Sequence, residues 1–189
     1  MQRPPLPQPD DPRSDDELMA LGAAGQHAAF ETLVRRHQQR LRAYCARWCG
    51  SGPLGDDVAQ ECFVELWQRR GSYHPQGKLK SYLFHIAASR CKNQQRALGR
   101  QQAAHETSLA TATERRSDRL LLGDEKRRLQ HGLDQLPELQ KEAVLLRYAV
   151  ELDYAEIASL LDVPEATVRS RVFLGLVKLR RLLRQEKRR

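Results

Sequence analysis

The 189-residue chain contains no apolar run of the roughly 20 residues that a membrane-spanning helix needs. Its opening residues are proline-rich and acidic, so they lack the hydrophobic centre of a secretory signal. Together these lacks predict a cytoplasmic protein with no membrane insertion. Four cysteines in a chain of this size do not make a disulfide scaffold. Also missing are a phosphate-binding glycine loop, a Gly-x-Ser-x-Gly elbow, a His-Glu-x-x-His helix and any convergent acid–base pair. An enzyme is therefore not expected, no catalytic residue is named, and no cofactor or metal is assigned. His37 reads as a packed histidine on an apolar stripe. No segment alternates as a strand does, and no internal repeat is visible, which leaves an all-α chain.

What is present in excess is positive charge. Lys and Arg number 32 against 24 Asp and Glu, a net charge of +8 and a pI near 9.6, which favours a polyanionic partner. The charge is uneven. Residues 1–17 carry Asp10, Asp11, Asp15, Asp16 and Glu17 against Arg3 and Arg13. Residues 178–189 carry Lys178, Arg180, Arg181, Arg184, Lys187, Arg188 and Arg189 against Glu186.

The most informative stretch runs from Asp153 to Arg181 and predicts two helices joined by a tight turn. Asp153 and Glu156 form a capping box, and Ile157, Leu160 and Leu161 supply a short apolar face. Asp162-Val163-Pro164 is the turn, with Pro164 suited to the first position of the second helix. In that helix Val168, Val172, Leu176, Leu179 and Leu183 recur at spacings of three and four and mark the buried side. Thr167, Ser170 and Leu174 point the other way, flanked by Arg169 and Arg171. Hydroxyls and guanidinium forks near the N-terminus of an exposed helix suit base edges and phosphates in a major groove, the arrangement of a helix-turn-helix. The bland alternative is a helical hairpin with a solvated basic face.

Taken in order, residues 1–13 hold five prolines and predict a disordered leader. Ser14 or Asp15 caps a short helix through Ala24. A long helix covers 27–49, with Phe30, Leu33, Val34, His37, Leu41, Tyr44, Cys45 and Trp48 on its stripe, and Gly50-Ser51-Gly52-Pro53 breaks it. A third helix starts near Asp56, burying Val58, Cys62, Phe63, Leu66 and Trp67. It shows a polar, acidic face of Asp57, Gln60, Glu61 and Glu65, either solvated or a dock for a basic protein. After the loop 71–77, a fourth helix covers 78–98 with Leu79, Leu83, Ile86, Ala87 and Cys91 inward. Its Lys80, Tyr82, Phe84, His85, Lys92, Asn93 and Arg96 interleave cations with rings, which suits single-stranded nucleic acid; one of Tyr82 and Phe84 belongs to the core. Residues 99–118 predict a flexible linker between two small helical domains, 14–98 and 119–189. In the second, Leu129, Leu133 and Leu136 lead to Pro137 and a helix with Ala143, Val144, Leu146 and Tyr148 available for packing.

The order of parts resembles an extracytoplasmic-function (ECF) sigma factor, the smallest class of bacterial RNA polymerase initiation subunits. DDVAQECFVELWQRR (56–70) resembles the family's core-binding helix of region 2. GKLKSYLFHIAASRCKNQQR (77–96) resembles the helix that melts and recognises the downstream promoter element. Residues 133–183 resemble the region 4 domain that binds the upstream element. The resemblance implies that Asp57, Gln60, Glu61 and Glu65 contact core RNA polymerase. It implies that Ser72, Lys78, Lys80, Tyr82, His85, Asn93 and Arg96 take the opened strand of the −10 element. It also implies that Thr167, Arg169, Ser170, Arg171, Phe173 and Leu174 read duplex DNA at the −35 element. An anti-sigma factor is the further partner it implies. Asp162 stands at a turn where glycine is usual in the family, and Leu174 where a basic residue is common.

Two other functions fit parts of the chain. One is a two-domain helix-turn-helix regulator that never joins polymerase; the acidic helix and the aromatic–basic helix argue against it. The other, as an added feature, is a metal or redox sensor built on Cys45, Cys49, Cys62 and Cys91, whose four thiols suit zinc. Cys45 and Cys62, however, lie on apolar stripes, where free cysteine acts as a small hydrophobe.

Overall fold

A computed structural model describes residues 11–104 and 123–186, with side chains at 11–100 and 123–185. Among the described residues there are eight helices and no strand. We number them α1 (Asp15–Ala23), α2 (His27–Cys49), α3 (Gly52–Gln68), α4 (Leu79–Ala104), α5 (Asp124–Asp134), α6 (Glu138–Tyr148), α7 (Tyr154–Leu161) and α8 (Glu165–Glu186). The first four make one helical body and the last four another.

The local sequence dictates most helix ends. Ser14 and Glu17 close a capping box over α1, and Asp153 and Glu156 close one over α7. Gly50, left-handed at φ 70°, ends α2. The third helix begins at Gly52, four residues before the expected Asp56, because Ser51 accepts from Leu54 N–H and Pro53 in the first turn has no N–H to leave unpaired. The fourth continues to Ala104, six residues past Leu98, since Gln, Ala and Arg all favour helix. This overrides the expected linker at 99–104; the remainder, 105–118, lies outside the described residues. Pro164 precedes α8 and lends it a carbonyl, which accepts from Thr167 and Val168. Most of the expected leader is likewise not described, but residues 11–13 are not loose. The Arg36 guanidinium holds the carbonyls of Asp11 and Arg13.

In the first body α2 is the axis. Its Leu33, Leu41, Tyr44, Cys45 and Trp48 are buried against Val58, Cys62 and Leu66 of α3 and Leu83, Phe84, Ile86 and Cys91 of α4. The α2–α3 crossing is close because Gly55 has no side chain; a Cβ there would sit 2.4 Å from the Ala46 backbone. Phe84 is the core member of the Tyr82/Phe84 pair, and Tyr82 is half-buried. Phe63 and Trp67, expected in the core, are only half-buried; Trp67 lies among Phe30, His27 and the Arg70 guanidinium. Buried His37 meets Asp15 at 2.7 Å. Burial acts to raise the Asp15 carboxyl, but His37 and then Arg36 outweigh it and hold the group below its ordinary 3.8.

In the second body Val168, Val172 and Leu179 of α8 are buried against Ala143, Val144 and Leu146 of α6 and Ile157 of α7, with Leu176 and Leu183 half-buried. Gly175 and Gly132 admit Val144 and Leu179 at distances a Cβ would not allow. Tyr148, expected to pack, is exposed, and Leu129 is at the edge of exposure. Val150 and Leu152 are buried in their place, turned inward on either side of Glu151, whose φ is +63°.

The two bodies pack together. Helix α2 meets α5 and α6, and α4 meets α7. The seam is polar. Lys141 donates to the Trp48 carbonyl at 2.7 Å, Gln130 to the Arg47 carbonyl at 2.9 Å, and Lys92 pairs with Glu142 at 2.8 Å.

Candidate nucleic-acid interface

The turn between α7 and α8 uses Asp162 in the left-handed region, φ 51°, so the expected helix-turn-helix connection forms without glycine. The buried stripe of α8 then leaves Arg169, Ser170, Phe173 and Leu174 exposed, and Thr167 and Arg171 half-buried on the flank. All six expected residues therefore lie on or beside the free face of one helix. The Arg169 guanidinium is positioned twice. It lies 4.4 Å above the Tyr154 ring, and it is paired with Glu165 one turn earlier. Tyr154, which also carries Arg147 at 5.2 Å, has no local sequence signal for this role. Phe173 is 66% exposed, and Leu174 and Val177 are about half exposed, an apolar strip on a basic helix. Such a strip suits thymine methyls beside arginine contacts.

On the first body the loop after α3 and the start of α4 form one surface. Tyr73 and Tyr82 lie with ring centres 5.3 Å apart. Asp16 of α1 accepts from the Tyr73 hydroxyl at 2.8 Å and from Gly77 N–H at 2.5 Å, fixing the loop. Burial and then the Asp16 carboxylate push the Tyr73 phenol well above its ordinary range. Ser72, Lys78, Tyr82 and His85 line a cleft with Tyr73 and His74, and Ser159, Leu160 and Asp162 of the second body form its other side. Lys80 does not line it; its ammonium donates to the Glu151 carbonyl of the second body at 3.4 Å. Asn93 and Arg96 are exposed further along α4 and do not line this cleft. The rings and cations lie where a single strand would find stacking faces and phosphate partners together.

The acidic face of α3 exposes Asp57, Gln60 and Glu61. Glu65 is different. Its side chain is mostly buried between Arg90 at 2.6 Å and Arg69 at 2.5 Å, and Glu61 also reaches Arg90. Two of the four expected docking residues are thus partly neutralised within the body, by an arginine 25 or more residues away in sequence.

The four thiols gather in the α2–α3–α4 core. Cys45, Cys62 and Cys91 are buried there, and Cys49 is half-buried against the same cluster. The neighbouring thiols and then burial push Cys62 and Cys91 up, while the same neighbours, Cys62 first, hold Cys45 below its ordinary value. No group of three or more His, Cys, Asp or Glu among the described residues is arranged around a metal position. No helix among them is long and apolar enough to cross a membrane.

Comparison with known proteins fits both bodies. The sigma-70 region 2 family matches residues 33–101, and the sigma-70 region 4 family matches residues 126–179. The ECF RNA polymerase sigma-E factor of Escherichia coli strain K12 is 30% identical over 171 residues, covering 85% of this chain and 89% of that one. The RNA polymerase sigma-H factor of Pseudomonas aeruginosa is 29% identical over 170 residues, covering 84% and 88%. Among solved structures, CnrH in complex with the cytosolic domain of CnrY superposes with a TM-score of 0.70 at 25% identity, over 92% of this chain and 99% of that one. The sigma factor RpoE of Bartonella quintana, in complex with the anti-sigma factor NepR, gives 0.68 at 21% identity, over 82% and 96%, and shares the fold. With a helix-turn-helix in one body, an aromatic–basic cleft in the other and near full-length kinship at 30% identity, the chain belongs to the ECF family of RNA polymerase sigma factors.

Proposed function

We propose that this sigma factor joins core RNA polymerase through Asp57, Gln60 and Glu61 of α3, with Glu65 setting the position of Arg90 beside them. The N-terminal face of α8 reads the −35 element as duplex. The cleft of Ser72, Tyr73, Lys78, Tyr82 and His85, with Lys80 at its edge, takes bases of the −10 element once the strands part. Asn93 and Arg96 track phosphates further along α4. Nucleotidyl transfer belongs to the polymerase; this chain binds, positions and opens DNA, in the cytoplasm where that enzyme works. An anti-sigma protein is a natural further partner, as NepR is for RpoE of Bartonella quintana.

The observation that carries this reading is the pairing, in one chain, of a groove-sized helix with exposed Arg169, Ser170 and Phe173 and a ring-and-cation surface on the first body. A duplex reader alone has no use for the second. The test is to mix the chain with core polymerase and a promoter library and sequence the start points. Chain-dependent clustering of starts downstream of a shared two-part motif is expected; random starts refute the reading.

A further inference from the structure

Asp16 precedes the residues matched by the sigma-70 region 2 family, and no contact with polymerase or promoter is assigned to it above. Yet it holds both ends of the loop on which the proposed strand capture depends. Its side chain, half-buried on α1, meets loop 71–77. One carboxylate oxygen accepts from the Tyr73 hydroxyl at 2.8 Å, and the other from Gly77 N–H at 2.5 Å. Each oxygen is used once, on donors four residues apart. An ionised acceptor makes the stronger kind of hydrogen bond. The Tyr73 phenol stays a donor, because burial and then this carboxylate push it above its ordinary range. Gly77 lies in the left-handed region, φ 70°, and α4 starts two residues later at Leu79. At the near end, the Ser72 N–H and hydroxyl both donate to the Arg69 carbonyl at 3.0 Å.

Asp16 is itself held firmly. Ser14 and Glu17 cap α1, Leu18 and Met19 are buried, and the adjacent Asp15 is bound to Arg36 and His37 of α2. The first helix thus passes the rigidity of the core to a surface loop. Between the two anchors His74, Pro75 and Gln76 are exposed. His74 and Gln76 carry hydrogen-bonding groups of the kind that tell one unpaired base edge from another. The Tyr73 ring, 5.3 Å from that of Tyr82, adds a stacking face. Reading a base edge requires those groups in fixed places. A loose loop would keep stacking and phosphate attraction, which are largely indifferent to sequence. We propose that Asp16 is a positioning residue for promoter reading: by clamping Tyr73 and Gly77 it holds loop 71–77 in the shape that selects one base of the opened −10 strand. The inference rests on the sigma-factor reading for the identity of the strand; the clamp is a contact within this chain.

The test is transcription by assembled holoenzyme on promoters with a constant −35 element and a randomised −10 element. A second readout is competition anisotropy of the full chain alone with fluorescein-labelled DNA hexamers that differ at one base. The parent should favour one base at one position by about tenfold. If release leaves the selecting shape populated about a tenth of the time, Asp16→Ala should lose about tenfold on that base and little on the other three. The preference then collapses to within about twofold, while preferences at the −35 element stand. Tyr73→Phe, which keeps ring and charge but removes one donor, and Asp16→Asn, which turns one acceptor into a donor, should fall between. Adding Tyr73→Phe to Asp16→Ala should change nothing further. If Asp16 merely repelled phosphates, Asp16→Ala would tighten all four bases alike, and that result overturns the proposal. So does parental preference in an Asp16→Ala protein with parental helix content or, should that variant unfold, in both Tyr73→Phe and Asp16→Asn. A parent with no base preference in either readout also overturns it. If the hexamers behave as stated but no protein directs core polymerase to start points, the sigma-factor function fails and the clamp stands.

Discussion

Arg169 offers the sharpest test of the groove face proposed for α8, because its position is set by the Tyr154 ring beneath it. A bidentate arginine contact to a base pair discriminates by about 1–3 kcal/mol. To make it, Arg169 must give up Glu165, an exposed pair worth about 0.2–1 kcal/mol. Arg169→Ala should therefore cost about 1–2 kcal/mol, or roughly 5–30-fold in affinity. The Tyr154 ring, 4.4 Å below the guanidinium, contributes about 0.5–1 kcal/mol of cation–π positioning at an exposed site. Tyr154→Leu should then weaken binding about 2–5-fold, and Tyr154→Phe, which keeps the ring, should weaken it little. The decisive figure is the coupling: in the Arg169→Ala background Tyr154→Leu should cost almost nothing. The assay is competition anisotropy of assembled holoenzyme on a duplex selected from a random pool, with thermal melts to confirm folding. Equal costs for Tyr154→Leu in both backgrounds would refute positioning through Arg169. Unchanged affinity and preference in Arg169→Ala would remove this arginine from the groove.

Three further outcomes follow from the geometry. Gly55→Ala places a Cβ 2.4 Å from the Ala46 backbone, which no rotamer relieves. Parting α2 from α3 should cost more than the roughly 1 kcal/mol of helix propensity gained, for a net loss of about 1–3 kcal/mol by thermal unfolding. Asp15, held below 3.8 by His37 and Arg36 against the effect of burial, contributes stability that is present above that value and lost as pH falls below it. Asp15→Asn should flatten this acid limb, as followed by circular dichroism between pH 5 and 2. Gln60→Ala with Glu61→Ala should weaken core polymerase binding by about 1–2 kcal/mol while leaving the melt unchanged, since Gln60 and Glu61 are exposed; unaltered binding would make this face mere solvent surface.

Much of the fold was legible because local rules set it. The spacing of Val168, Val172 and Leu179 marked the buried side of α8, and Asp153 with Glu156 announced the start of α7. The same spacing left Arg169, Ser170, Phe173 and Leu174 exposed, so the free face of α8 was legible. Errors arose where one residue type has two uses. Gly-Ser-Gly-Pro at 50–53 is both a breaker and a helix start, and Ser51 made it the latter. Tyr148 has the spacing of a packed residue, yet the chain turns there so that Val150 and Leu152 fill the space. The seam was not legible at all. Glu142, Lys141 and Gln130 look like surface residues on their own helices, and their partners Lys92, Trp48 and Arg47 lie 50 to 93 residues earlier. Asp16 beneath loop 71–77 and Tyr154 beneath Arg169 are long-range or cross-helix partners of the same kind.

As a sigma factor, this one small chain gives core RNA polymerase its promoter. Transcription in vitro with core enzyme, with and without the chain, on a library of random upstream duplex, tests it directly. Starts should appear only with the chain, cluster at a fixed distance from one two-part motif, and fade with Arg169→Ala and with the paired alanines at Gln60 and Glu61. Identical start profiles with and without the chain would contradict it.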